Sequence, residues 1–458
     1  MAKSKKSVSF DRLYKIISSK DSKIHFIGVG GVSMYSLARL SVSPARRISG
    51  SDREESERTR ALSGLGVDVS IGHREGRLEG CDLVVYSHAI REDDPELLAA
   101  RKMGTLTVSR AEYLGALMLG YKTKIGISGT HGKSTTVAML DTVLASARRN
   151  HTTLSGAKLI TGEPYRMGNN ETLLYEACEY KDSFLKFLPS IAVALNLEYD
   201  HPDYFESVDA IKESFEKALS KAERALINID DMELLSIKKS LSKKTELITF
   251  GQTERADIRY RIVSFEPSGC KFTLEYKKEI LRLETSVGGA FNVLNAAAAA
   301  SVALLLGIEK EYIFEGIKAY RGIEARMEHI GSFLGREVFR DYAHHPTEIR
   351  ATLNALKMMT GDEITVVFKP HTFSRTKALF EDFKLSLSIA DYVILTDIFP
   401  AREESIEGIS SQRMAEEMRS NSVYIEENKI RRYLENNTRG AIILMGAGNM
   451  DSIKKEII

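Results

Sequence analysis

Lys124 to Thr136 reads KIGISGTHGKSTT, and the rest of the chain is organised around this stretch. Its first residues predict a short strand, residues 128–132 predict a turn, and a helix is expected to begin at Lys133. Glycines in the turn let backbone N–H groups point toward a polyphosphate, and the helix start adds unpaired N–H groups and partial positive charge. The stretch therefore predicts a loop that binds nucleotide phosphates.

Two side chains at the predicted helix start suit a nucleotide bound together with a divalent cation. Lys133 can reach the terminal phosphate oxygens, and Ser134 can place its hydroxyl on Mg²⁺. The spacing departs from the GxxxxGK[ST] pattern, because Ile127 stands where the first glycine belongs. The strand–turn–helix context nevertheless favours phosphate binding over a tight turn without a ligand.

Length and composition restrict the class of protein. A chain of 458 residues suggests about three domains. The formal net charge of +1 gives no sign of a nucleic-acid partner. No apolar run approaches the roughly 20 residues of a membrane span, and the basic N-terminus lacks the apolar region of a signal peptide. The three scattered cysteines favour free thiols in a reducing compartment, so we expect a cytoplasmic protein without membrane insertion.

A second glycine turn lies near the N-terminus. A strand predicted from Lys23 leads into Gly28-x-Gly30-x-x-Ser33, and an acid follows at Asp52. This resembles a dinucleotide-binding fingerprint that lacks its third glycine. We expect a pyrophosphate on the turn and a ribose or base contact from Asp52. A nicotinamide-dependent oxidoreductase is the alternative, but it leaves the phosphate loop unexplained.

Acids and a histidine follow two predicted strands, at 173–179 and 191–196. The carboxyl ends of parallel strands meet at one edge of a sheet, where ligands bind. Glu179 and His201 are therefore predicted to lie beside the phosphate loop and hold a metal ion, although a structural hydrogen-bonded role is the alternative for the histidine. The carboxylates expected behind them are those of Glu176 and Asp200.

The remaining segments complete the domain pattern. Residues 245–286 predict a small antiparallel insert, and an alanine-rich helix at 296–303 follows two asparagines that share a helix face. From Gly322 onward, strands again end in polar residues, which predicts a further α/β crevice. The fold class is thus α/β with three modules, namely a Rossmann-like N-terminal domain (1–122), a central P-loop mononucleotide-binding domain (123–321) and a Rossmann-like C-terminal domain (322–458).

Taken together, these motifs resemble the muramyl ligase family over residues 23–450. The resemblance is carried by GVGGVSM (28–34), SGSD (49–52), SHAIREDDPEL (87–97), GISGTHGKSTT (126–136), EACEYKDSFL (176–185), NLEYDHPDYF (196–205), FNVLN (291–295), GIEARME (322–328), DYAHHPTE (341–348), PHTFSRT (370–376) and DIFPAREE (397–404).

The resemblance implies an enzyme of peptidoglycan synthesis that uses ATP and Mg²⁺. The implied reaction joins L-alanine to the lactyl carboxylate of UDP-N-acetylmuramate through an acyl phosphate, and it releases ADP and phosphate. The alternatives are a recycling ligase that attaches a whole peptide to the same sugar and a nucleotide-binding relative without catalysis. A monomer or weak homodimer is expected, with the two substrates as partners.

The resemblance also implies roles for individual residues. The implied catalytic residues are Lys133, His201, Arg326 and His344. The implied ATP-binding residues are Gly129, Thr130, His131, Gly132, Lys133, Ser134, Thr135, Asn292, Asn295 and Asp341. The implied substrate-binding residues are Gly28, Gly30, Gly31, Ser33 and Asp52 for the UDP sugar, and Tyr342, His371 and Arg375 for the amino acid. The implied metal-binding residues are Ser134, Glu179 and His201.

Overall fold

Three sheets follow one another along the chain, each built around parallel strands. The structure, a computed structural model, describes residues 8–43, 46–72, 78–243, 245–266, 269–401, 403–418, 421–448 and 450–458. This arrangement confirms the predicted α/β class with three sheet-containing modules. The exact boundaries between the modules remain a prediction.

The first sheet has the strand order β3-β2-β1-β4-β5, and all of its strand pairs are parallel. Its strands are β1 (Lys23–Ile27), β2 (Arg47–Asp52), β3 (Asp68–Ile71), β4 (Leu83–Tyr86) and β5 (Leu106–Ser109). Its helices are α1 (Phe10–Ser18), α2 (Val32–Ser41), α3 (Glu57–Gly64), α4 (Pro95–Lys102) and α5 (Arg110–Leu117). The order reverses between β1 and β4, so the glycine turn after β1 opens at the switch point where such sheets bind ligands.

The second sheet contains ten strands among the described residues, in the order β15-β14-β13-β12-β11-β10-β6-β9-β7-β8. The strands are β6 (Thr123–Ser128), β7 (Thr152–Leu154), β8 (Tyr165–Arg166), β9 (Thr172–Glu176), β10 (Ile191–Ala194), β11 (Arg224–Asn228), β12 (Glu246–Gly251), β13 (Ile258–Glu266), β14 (Gly269–Tyr276) and β15 (Glu279–Glu284). The helices are α6 (Lys133–Ser146), α7 (Val208–Leu219), α8 (Met232–Leu241), α9 (Ala290–Leu305) and α10 (Lys310–Ala319). The strand that leads into the phosphate loop, β6, lies between β10 and β9, as the predicted metal site requires.

The predicted antiparallel insert at 245–286 is only partly correct. Strand β12 pairs in parallel with β11 and belongs to the main sheet. Strands β13 to β15 form the antiparallel part, but they extend the same sheet instead of forming a separate one. The sequence shows strand-forming residues without their pairing partners, and pairing decides which sheet a strand joins.

The third sheet has the order β16-β17-β21-β18-β19-β20. Its strands are β16 (Glu328–Phe333), β17 (Arg336–Asp341), β18 (Ile364–Phe368), β19 (Tyr392–Leu395), β20 (Ser422–Tyr424) and β21 (Ala441–Met445). Its helices are α11 (Pro346–Thr360), α12 (Phe373–Ala378), α13 (Phe380–Leu387), α14 (Ser411–Met418), α15 (Ile430–Asn437) and α16 (Asp451–Ile457). An antiparallel edge strand that the sequence analysis did not identify, β16, precedes the parallel strands.

Small residues let the helices around the phosphate loop pack closely. The alanines at 296–300 on α9 are fully buried, and they share a core cluster with Val143 of α6. A Cβ added to Gly316 of α10 would lie 2.3 Å from the Cα of Val143. The helix that begins at the phosphate loop is therefore held on both sides by close backbone contacts, which fixes the loop against its sheet.

The first module is packed against the second near the end of β9. A Cβ added to Gly115 of α5 would lie 2.3 Å from the carbonyl oxygen of Lys186. Lys186 belongs to the short 3-10 segment Tyr180–Lys186, which follows β9. Within the described residues, no helix has the length and apolar character needed to cross a membrane.

Candidate active site

The phosphate loop connects β6 to α6 and depends on two glycines. Gly129 and Gly132 have φ angles of 141° and 82°, which side chains rarely adopt. A Cβ on Gly132 would also lie 2.3 Å from Oδ1 of Asn295, which accepts a hydrogen bond from Thr136. The loop thus passes close to α9, which carries the predicted ATP-binding residues Asn292 and Asn295.

Lys133 is held inside the loop in this structure. Its ammonium donates to the carbonyls of Gly129 and Thr130, and it lies 3.2 Å from both carboxylate oxygens of Glu179. Burial alone would lower the pKa of Lys133, but the Glu179 carboxylate outweighs it and raises the pKa. The lysine is therefore a fixed positive charge at the helix start.

Glu179 and His201 come together as the sequence predicted. Nε2 of His201 lies 3.7 Å from Glu179 and 3.6 Å from Asp200, and these three side chains can place ligand atoms within 4.8 Å of one another. Burial opposes ionisation of Glu179, but Lys133 and His201 lower its pKa. An ionised carboxylate beside an imidazole is a suitable partial ligand set for a divalent cation.

Asp200 connects the central module to the C-terminal module. Its Oδ1 accepts from Nε of Arg375 at 2.8 Å and lies 2.7 Å from the second guanidinium nitrogen. Both side chains are less than a tenth exposed. Burial would raise the pKa of Asp200, but Arg375 holds it well below its ordinary value. Arg375, predicted to receive the amino acid, is thus already paired with a carboxylate.

His131 of the phosphate loop also points toward the C-terminal module. Its ring lies 3.2 Å from Glu348 and 3.6 Å from Glu198, and 4.7 Å from the ring of His345. Burial disfavours the imidazolium, but the two carboxylates raise the pKa of His131 to about 9. The side chain is a cation that joins the loop to α11, while its backbone N–H donates to Asn196.

Glu348 is shared by three predicted site residues of different segments. It lies 3.6 Å from Arg326 and 3.3 Å from Nδ1 of His344, in addition to its contact with His131. Arg326 also lies over the ring of Tyr342, 5.1 Å from its centroid. One largely enclosed carboxylate therefore orients the predicted catalytic arginine and histidine of the C-terminal module.

His344, predicted to be catalytic, and His371, predicted to bind the amino acid, are both neutral near pH 7. Burial lowers the pKa of His344 to about 4, and burial together with Arg375 lowers that of His371 to about 3. Their rings are 6.0 Å apart. Neutral imidazoles do not repel a cationic amine, but pKa values this low make both rings weak proton acceptors.

A cavity of about 1100 Å³ lies between the central and C-terminal modules, beside the phosphate loop. It is lined by seven of the predicted residues, namely His131, Gly132, Thr135, Asn292, Asn295, Arg326 and Asp341. Asp341 accepts from the backbone N–H of Met327 and of Ala343, and burial raises its pKa to about 6. The residues that the structure places around this nucleotide-sized space come from both modules.

Other predicted residues lie outside that cavity. The residues that line the cavity do not include the following predicted site residues: Gly129, Thr130, Lys133, Ser134, Glu179, His201, Tyr342, His344, His371 and Arg375. The first-module turn forms a separate region at the end of β1. There Oδ2 of Asp52 accepts from the backbone N–H of Gly30 at 2.8 Å, so this acid shapes the turn.

Two acids of the site, Glu198 and Glu348, were not predicted, and both hold His131. Glu176, expected behind the metal site, accepts from Ser155 and from the backbone of Gly156 at the end of β9. A signal was present, since each acid lies in a motif that carries the resemblance. Their roles depend on contacts between segments far apart in the chain, which spacing alone does not show.

The phosphate loop lies in the middle module, and the next module closes it from one side. This arrangement is typical of an enzyme that uses ATP to join two substrates held between domains. Three family profiles match in the same order as the sheets. They are the Mur ligase family catalytic domain (residues 23–122), the Mur ligase middle domain (127–303) and the Mur ligase glutamate ligase domain (325–448).

Known proteins resemble the chain over nearly its whole length. A UDP-N-acetylmuramate–L-alanine ligase of Caldicellulosiruptor saccharolyticus is 41% identical over 94% of this chain and 97% of its own. That of Clostridium tetani is 37% identical over 97% and 98%. The crystal structure of UDP-N-acetylmuramate–alanine ligase from Thermotoga maritima has a TM-score of 0.80 at 26% identity, covering 95% of this chain and 98% of that one. The chain belongs to the Mur ligase family, and it is an ATP-dependent ligase.

Proposed function

We propose that the protein joins L-alanine to the lactyl carboxylate of UDP-N-acetylmuramate, with ATP converted to ADP and phosphate. The observation that carries this proposal is the 41% identity over 94% of the chain to a ligase with those substrates. The cluster around Lys133, Glu179 and His201 is consistent with it and lies within the residues matched by the Mur ligase middle domain.

A carboxylate does not react with an amine directly, because an oxide ion cannot leave. One carboxylate oxygen first attacks the γ-phosphorus of ATP, which forms the acyl phosphate and releases ADP. The neutral amine of L-alanine then attacks the acyl carbon, the C–O bond to phosphate breaks, and the amine loses a proton. The first step brings two anions together, so positioned cations and N–H groups lower its barrier.

The fixed charges of the site suit this first step. The Lys133 ammonium must exchange the carbonyls of Gly129 and Thr130 for phosphate oxygens, while Glu179 keeps it charged. Arg326 enters from the C-terminal module and lines the cavity. The second step releases a proton, and the lowered pKa values of His344 and His371 make both rings weak acceptors for it.

The residues present fit Mg²⁺. The hydroxyl of Ser134 and the ionised carboxylate of Glu179 are the oxygen donors that this ion prefers, and His201 lies 3.7 Å from Glu179. When bound, Mg²⁺ would neutralise charge on the phosphate oxygens. Glu179, by also pairing with Lys133, holds the ammonium and the cation site at a fixed separation.

The test is phosphate release from ATP with UDP-N-acetylmuramate and each candidate amine. We expect strong dependence on L-alanine, weaker activity with glycine or serine, and near-complete loss in Lys133→Ala. A matched Lys122→Ala variant, at an exposed ion pair before the loop, should keep activity. Release driven by a tripeptide instead of L-alanine would identify a recycling ligase, and release that needs neither substrate would contradict the ligase reaction.

A further inference from the structure

Arg110 is a half-buried cation at the interface of the first two modules. It is the first residue of α5 and directly follows β5. Among the described residues, its guanidinium has no hydrogen-bond or ion-pair partner. The helix start itself is already capped, because Ser109 and Glu112 satisfy each other's groups. The five guanidinium donors of Arg110 are therefore available to a ligand.

The packing of α5 places this residue beside the end of β9. Gly115 contacts the backbone of Lys186 closely, and Nζ of Lys186 lies 3.6 Å from Glu112. These contacts fix α5 on the segment that directly follows Glu179. The titratable groups beside Arg110 are accordingly the Cys178 thiol and the Glu176 carboxylate, at the end of β9.

The ion pairs of the site indicate that Arg110 can bind an anionic ligand. Three other cations of the site each have a carboxylate partner: Lys133 has Glu179, Arg326 has Glu348, and Arg375 has Asp200. Arg110 has none in the part of the chain that the structure describes, although it is half-buried. A half-buried guanidinium of this kind is stabilised by an anionic ligand, and its planar fork matches a carboxylate.

The position of Arg110 in the first sheet indicates which anionic group of the proposed substrate it can contact. The diphosphate is expected at the glycine turn after β1, and β5 lies two strands away from β1 in the order β1-β4-β5. Strands are about 4.8 Å apart, so Arg110 begins roughly 10 Å from that turn, on the side of the Lys133 cluster. This offset suits a group at the sugar end of the substrate.

We propose that Arg110 binds the lactyl carboxylate of the UDP-sugar substrate and holds it in front of Lys133. The assignment rests on the proposed function. It adds a binding residue from the first module to a reaction centre otherwise built by the second and third modules.

Calorimetric binding of two sugar nucleotides tests the assignment. UDP-N-acetylglucosamine has the same nucleotide and a similar sugar but no lactyl group. For Arg110→Ala we expect affinity for UDP-N-acetylmuramate to fall about 10- to 100-fold, as for loss of a charge-assisted hydrogen bond, with little change for UDP-N-acetylglucosamine. Arg110→Lys should retain part of the affinity. The matched control is Arg60→Ala, an exposed residue of the same module, which should bind both nucleotides normally.

Equal losses for both nucleotides, or no loss for either, would overturn the role of Arg110. ATP binding and thermal unfolding of each variant show that it is folded. Failure of the wild-type protein to bind UDP-N-acetylmuramate more tightly than UDP-N-acetylglucosamine would instead overturn the proposed function, and the assignment with it.

Discussion

Asp200 of the central module and Arg375 of the C-terminal module form a buried ion pair, with a shortest separation of 2.7 Å between carboxylate and guanidinium. Asp200 directly precedes His201, and Arg375 lies on α12 beside His371. The pair therefore connects the predicted metal site to the predicted amino-acid site. The relative position of the two modules therefore determines how these two predicted sites face each other.

Removing one partner of this pair should be costly. Arg375→Met leaves the Asp200 carboxylate buried without its cation, and we expect a loss of about 3–5 kcal/mol in the free energy of unfolding. Arg91→Met, at an exposed pair with Asp93, should change it by less than about 1 kcal/mol. Denaturant titration measures both. Equal effects would mean that the interface does not depend on the pair.

Gly132 is expected to tolerate no side chain. In Gly132→Ala the added Cβ would lie 2.3 Å from Asn295, so we expect weaker ATP binding and a less stable protein. Gly162 has a similar φ of 83° but open space around it, so Gly162→Ala isolates the cost of the backbone conformation. Similar ATP affinities in the two variants would contradict the close contact between the loop and α9.

His131 predicts a pH-dependent contribution to stability. Its pKa is raised from 6.5 to about 9 in the folded protein, so its stabilising effect is complete below about pH 6.5 and is lost as the pH rises through 9. The stability difference between wild type and His131→Gln should therefore shrink over this range, by on the order of 3 kcal/mol. In a Glu348→Gln background the change should be smaller, because Glu348 is one of the two carboxylates that raise this pKa. A difference independent of pH would show that His131 is neutral.

The predicted role of Glu179 as a metal ligand leads us to expect that activity depends on Mg²⁺. Chelation should abolish phosphate release, and added Mg²⁺ should restore it. Glu179→Gln removes the negative charge and should require a higher Mg²⁺ concentration for half-maximal activity, about 10-fold or more. Asp93→Asn, at an exposed site in the first module, serves as the control. An unchanged Mg²⁺ requirement in Glu179→Gln would place the ion elsewhere.

Local sequence signals were enough to predict much of the fold. The strand before Ser128, the turn and the helix from Lys133 were predicted because glycine spacing and a basic residue at a helix start are local features. The meeting of Glu179 with His201 also followed, since parallel strands end at one edge. Asn292 and Asn295 were placed correctly on one buried helix face.

Contacts between segments distant in the chain were not predictable in the same way. The bridge from His131 to Glu348 spans two modules, and nothing near either residue in the sequence indicates the other. The parallel pairing of β12 and the edge strand β16 likewise depend on partners that propensity does not specify. The assignment of Arg375 to the amino acid did not anticipate that Asp200 already holds its guanidinium.

The central claim is that ATP phosphorylates the substrate carboxylate. UDP-N-acetylmuramate labelled with heavy oxygen in its lactyl carboxylate tests it directly, because amide formation from an acyl phosphate leaves one carboxylate oxygen on the released phosphate. We predict that, with ATP and L-alanine present, mass spectrometry finds one labelled oxygen in each phosphate formed. Release of unlabelled phosphate alongside the amide product would contradict the account.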